Sequence, residues 1–166
     1  MEHSQHNPVT SHHHDASAPA PDSSWSTAIS ATLHCLTGCA IGEVLGMVLA
    51  TWWGWATWPS VALAVALAFF FGYLLTVTPV MRAGLPFRAA VKVALAADTV
   101  SIAVMEVVDN AFLLWYPGAM EAGLGDFLFW GALALALAIA FVVTVPVNRA
   151  MIRRGRGHAV VHRYHH

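Results

Sequence analysis

Charge is scarce in this chain. Only 10% of its 166 residues are Asp, Glu, Lys or Arg, against 58% hydrophobic residues, and no Lys or Arg occurs before Arg82. Composition of this kind excludes an ordinary soluble domain and points to a membrane protein. Cysteine is equally sparse. Cys35 and Cys39 are the only two, and a bridge between residues four apart on one helix is geometrically poor, so a disulfide framework is excluded in favour of free thiols or metal thiolates. The sequence also lacks a Gly-rich phosphate loop, a nucleophile elbow and an H-E-x-x-H zinc motif, so it does not read as an enzyme. The basic residues sit in two short flanks, Arg82 to Lys92 and Arg149 to Arg163, and offer no surface for nucleic acid.

What is present is organised around His34 to Thr51. Cys35, Cys39, Glu43 and Met47 recur every fourth residue, and Gly38, Gly42 and Gly46 recur every fourth residue beside them. At about 100° per residue the two rows fall on neighbouring arcs of one helix. One arc is small enough for close helix contact, and the other bears two thiols, a carboxylate and a thioether. An acidic side chain at the centre of a membrane span costs about 2.5–3.5 kcal/mol on insertion scales, so Glu43 must face other helices or water.

Four apolar segments have the roughly 20 residues that a bilayer crossing needs. They run from about 29 to 51, 61 to 80, 88 to 115 and 127 to 148, separated by turns rich in Trp, Gly and Pro. The expected fold is all-α, a bundle of four transmembrane helices over residues 27–151. It is flanked by a disordered His-bearing tail (1–26) and a basic His-bearing tail (152–166). Leu36-Thr37-Gly38-Cys39 has the form of a lipoprotein cleavage box, but the main hydrophobic run follows the cysteine, and lipidation is not expected. Every Lys and Arg lies in the second turn or the C-terminal tail. In a four-span protein these share one side, which the positive-inside rule makes cytoplasmic, with both termini there. Trp52, Trp53, Trp55, Trp58, Trp115 and Trp130 then form an outer aromatic belt. The expected location is the bacterial inner membrane, with the bilayer as first partner and a homo-oligomer or larger membrane protein as a second.

The third span is the most polar. Counting at about 1.5 Å per residue from the tryptophans places Asp98 and Ser101 level with Cys35 and Cys39, and Met105 and Glu106 level with Glu43. Asp109 and Asn110 fall further out, and the face of the third span bearing these groups is expected to meet the Cys/Glu arc of the first. Spans two and four read as insulation, with Tyr73, Thr76, Thr78, Thr144 and Asn148 able to add oxygens near the cytoplasmic end. Thiolate with thioether is a soft donor set that suits Cu(I) or Zn(II). The candidate metal ligands are therefore Cys35, Cys39, Glu43, Met47, Asp98, Met105 and Glu106, with His158 and His162 spaced i, i+4 in the C-terminal tail as auxiliaries. Copper is the favoured ion, with zinc or none as alternatives. Two other functions compete: a proton-coupled or thiol-redox component relaying through Glu43, Asp98 and Glu106, and an accessory subunit that packs on a larger complex through its glycines.

The blocks HCLTGCAIGEVLGM, ADTVSIAVMEVVDN, PGAM and PVNRAMIRRGRGHAVVH resemble a family of small bacterial inner-membrane proteins catalogued as a domain of unknown function, number 4396 in its series. The resemblance runs from about Leu33 to His166. It implies a four-helix membrane architecture and no established activity.

Overall fold

The computed structural model describes residues 24–119 and 121–154. His158 and His162, the N-terminal histidines and most of both tails lie outside these residues. Among the described residues there are four helices and no strand: α1 (Trp25–Trp53), α2 (Thr57–Arg82), α3 (Phe87–Trp115) and α4 (Phe127–Arg153).

Local chemistry explains where they begin and end. Ser24 caps α1, its hydroxyl accepting from the Thr27 N–H at 3.2 Å. Gly54 closes α1 in the left-handed conformation (φ 66°), its N–H reaching the carbonyls of Ala50 and Thr51. Pro59 sits in the first turn of α2, where a missing N–H costs nothing. The tryptophan-rich turn is thus shorter than the sequence implied, since Thr57 to Pro59 are already helical. Pro86 stands at the N-cap of α3. The linker from 116 to 126 is held by Asp126, which accepts from the Gly123 N–H at 2.9 Å, and by Trp130, whose Nε1 donates to the Leu124 carbonyl at 2.9 Å. α4 runs five residues past the expected end of its span and carries Pro146 within it.

Short links make successive helices antiparallel neighbours, and α4 closes the ring against α1. α1 and α3 run parallel and meet across the centre. The second turn, the start of α1 and the end of α4 therefore lie at one end, where Arg149 packs over the Trp25 ring at 4.1 Å. The six other tryptophans lie toward the opposite end, with Trp52 80% exposed.

The bundle is apolar outside and polar within. Phe70, Leu74, Leu95, Val107 and Val142 are exposed, while Thr32, Asp98, Ser101, Asp109, Thr144 and Asn148 are buried among alanines and glycines. A hydrocarbon solvent calls for this distribution, and small interior residues allow close helix packing in it. Three helices, α1, α2 and α4, are long and apolar enough to cross a membrane.

The glycine row fixes the tightest of these contacts. Gly38 lies against Gly72, Gly42 against Ala68 and Gly46 against Ala64, so the row meets α2. The cysteine row on the neighbouring arc is thereby turned toward the bundle centre.

Candidate functional site

Cys35 and Cys39 are free and buried. They share one cluster with Ile102 and Met105 of α3, Ala68 of α2 and Ala140 of α4. Because α1 and α3 run parallel, polar pairs follow one another between them in the same order along both helices. The Cys35 thiol points at Asp98 Oδ1, 3.9 Å away. One turn on, Cys39 adjoins Glu106. A further turn on, Glu43 faces Asp109. Eight residues of α1, about 12 Å of rise, separate the first pair from the last.

Asp98 meets Cys35 at the level counted, and the alignment departs from the count further along: Glu106, expected level with Glu43, stands near it but also meets Cys39, and Asp109, expected further out, is the carboxylate that faces Glu43. Asp109 was not among the candidate ligands. The signal for it was present, since Asp98, Met105 and Asp109 lie close together on the helical projection.

Spans two and four are not mere insulation. Thr76 of α2 stands beside Asp98 and also bonds His34 Nε2 at 3.0 Å. Asn148 of α4 ties three helices together. Its Nδ2 donates to Thr32 Oγ1 at 2.8 Å, and its Oδ1 accepts from the Ser101 hydroxyl. Thr32 in turn donates to the Ala28 carbonyl at 2.7 Å. This network lies close to the Cys35–Asp98 pair and fixes the α1–α3–α4 register there.

The upper part of the file is different. Glu43 and Asp109 have only each other, since none of their oxygens meets a separate donor, and Glu106 Oε1 has no hydrogen-bond partner. Asn110 supports only the other Glu106 oxygen, at 3.4 Å, while bonding the Glu106 carbonyl at 2.9 Å. Ionised carboxylates buried without donors or cations are costly, and a bound cation, whether proton or metal ion, removes that cost.

Met47 does not join the sulfur cluster. It lines a cavity with Glu43 and Asp109, one level further along. The proposed ligands therefore divide between two levels: Cys35, Cys39, Asp98, Met105 and Glu106 at one, Glu43 and Met47 at the other. Among the described residues, no three His, Cys, Asp or Glu side chains group so as to hold a metal ion. The remaining sulfur in the buried cluster of the two cysteines is the Met105 thioether.

Neither a curated protein nor a solved structure matches the chain. Residues 24–157, which hold all four helices and every buried thiol and carboxylate described above, match the family described as Domain of unknown function (DUF4396), and the chain belongs to that family.

Proposed function

We propose that this is a bacterial inner-membrane protein with four crossings and both termini cytoplasmic, which binds and moves a soft metal ion, copper favoured. The observation that carries the proposal is the burial of two thiols and a thioether in one cluster, with carboxylates against the thiols. Sulfur donors select Cu(I) over the harder divalent ions, and a monovalent d¹⁰ ion accepts the low coordination number that Cys35, Cys39 and Met105 offer. Thiols must lose protons to bind metal. Asp98 and Glu106 stand where those protons would go. The polar α3 crosses as well in this reading, because its carboxylates are buried while Leu95, Val100, Val107 and Leu114 cover its outer face. Arg82, Arg88 and Arg153 gather at the end assigned to the cytoplasm.

The test is Cu(I) binding by the purified, reduced protein in detergent. One equivalent is expected in the wild type and none in Cys35→Ser/Cys39→Ser. Undiminished binding in the double variant removes the reading.

A second reading has one observation in its favour: thiol and carboxylate groups succeed one another along the file, as the acidic groups of intramembrane proton relays do. It predicts proton flux into proteoliposomes that Glu106→Gln abolishes while Cu(I) binding is absent from the start.

A further inference from the structure

The upper level of the file has features the sulfur cluster lacks. Glu43 and Asp109, only 5% and 1% exposed, aim their carboxylates into a cavity of about 30 Å³. Their four oxygens find no hydrogen-bond partner other than the opposite carboxyl group. Met47 and Asn110 complete its polar lining, and Phe129 and Leu133 of α4 close one side with apolar surface. Asn110 is held by the two bonds from its Nδ2 to Glu106, which leaves its amide oxygen as the group able to ligate. One water needs about 10–15 Å³ on this scale, so the cavity admits a small ion with about one water.

A route leads to it. A second, more open cavity of about 150 Å³ lies between the α1–α2 turn and the 116–126 linker, lined by Trp55, Ser60 and Ala122 among others. Met47 and Val61 line both cavities and so stand at their junction. An ion arriving from the tryptophan end passes the Met47 thioether before it meets a carboxylate.

We infer that Glu43, Asp109, Asn110 and Met47 form a second cation site, separate from the sulfur cluster, that takes a divalent transition-metal ion from the tryptophan end of the bundle. Two carboxylates neutralise a divalent charge. The amide oxygen adds a third hard donor, and one thioether among oxygens favours Mn(II), Fe(II) or Cd(II) over Mg(II) and Ca(II). Nothing here rests on copper binding below, since the two levels share no ligand.

The test uses the full chain in detergent, with Mn(II) followed by loss of its free-ion paramagnetic resonance signal and Cd(II) by calorimetry. The wild type is expected to take one Mn(II), and millimolar Mg(II) is not expected to displace it. Glu43→Gln and Asp109→Asn should each weaken Mn(II) binding at least tenfold, and Cys35→Ser/Cys39→Ser should leave it unchanged. Met47→Leu, which keeps size and apolarity, should reduce the preference for Cd(II) over Mg(II) at least tenfold, and it remains informative if either carboxamide variant fails to fold. Absence of Mn(II) binding in the wild type, or equal binding in folded Glu43→Gln and Asp109→Asn, overturns the site. If the cysteine variant loses Cu(I) yet keeps Mn(II), both sites stand. If it loses Mn(II), the second site is not separate and the inference fails.

Discussion

Replacing Gly42 with alanine adds a single methyl group, and the structure dictates where it lands. An ideal Cβ at Gly42 falls on the backbone N and Cα of Ala68, while one at Gly38 lies 2.7 Å from the Gly72 Cα. Carbon atoms in favourable contact are about 3.5–4.0 Å apart. Main chain on both sides cannot swing aside, so α1 and α2 must separate by about 1 Å, which forfeits a quarter to a half of each contact along the seam. Overpacking of this sort costs about 1–3 kcal/mol. Alanine returns up to about 1 kcal/mol as the better helix former. Gly42→Ala should therefore be destabilised by about 1–2 kcal/mol, with Gly38→Ala in the same direction. Gly131 in α4 supplies the control, because nothing lies within 4 Å of its added Cβ. There the propensity term acts alone, and Gly131→Ala should gain up to about 1 kcal/mol. Gly72→Ala falls between, since its added carbon meets the movable Cδ1 of Ile102. Unfolding of the four variants in mixed micelles, followed by circular dichroism, gives the order directly. A Gly42→Ala protein as stable as wild type, or less affected than Gly131→Ala, would refute the assignment of the glycine row to the α1–α2 seam.

Two further outcomes follow from the bundle. Asn148→Leu removes the bridge from Ser101 to Thr32; buried side-chain hydrogen bonds in membrane bundles average about 0.6 and reach about 1.7 kcal/mol, so the loss of two should cost about 1–2 kcal/mol in the same micelle assay, and a neutral effect would show that the network does not hold α4 in place. Single cysteines at Ala56 and Ala83, both exposed, should label from opposite sides of sealed cells with a membrane-impermeant maleimide, Ala56→Cys from outside and Ala83→Cys only after permeabilisation; labelling of both from one side would rule out the four-crossing arrangement.

The architecture was legible because hydrophobic runs of membrane length, Gly and Pro between them, and clustered tryptophans are local signals that the helices then obey. The boundaries were less so. The sequence marks where a chain is oily enough for a bilayer, whereas a helix continues until capping chemistry stops it, and α4 stays helical through Pro146 as far as Arg153. The two rows on α1 were visible at a glance, and the Cys/Glu row meets α3 as expected, but the partner of the glycine row was not legible. Periodicity gives the angle between rows but not which neighbour occupies each arc, and either helix 2 or helix 3 could have met the glycines.

Register between parallel helices was the step that local counting could not supply. Depth estimated from the tryptophans assumes that both helices enter the bilayer at the same height and angle. The pairing of Asp98 with Cys35 survives that assumption, but a slip approaching one turn, about 5.4 Å, further along is enough to exchange partners. That slip sets Glu106 beside Cys39 as well as near Glu43 and brings Asp109 to face Glu43. With Met47 on the Glu43 cavity and Met105 beside the cysteines, the candidate donors divide into a sulfur-rich level and an oxygen-rich level. The consequence is chemical: a soft monovalent ion suits the first set of donors and a divalent ion the second. A single ion crossing both levels would have to exchange sulfur for oxygen midway, between Cys39 and Glu43, where Glu106 stands adjacent to both. Glu106 is thus the residue at which a transport route and a pair of static sites diverge. Its replacement by Gln should stop passage while leaving Cu(I) bound at the cysteines and Mn(II) bound at Glu43 if the levels communicate, and should leave flux and both occupancies unchanged if they do not.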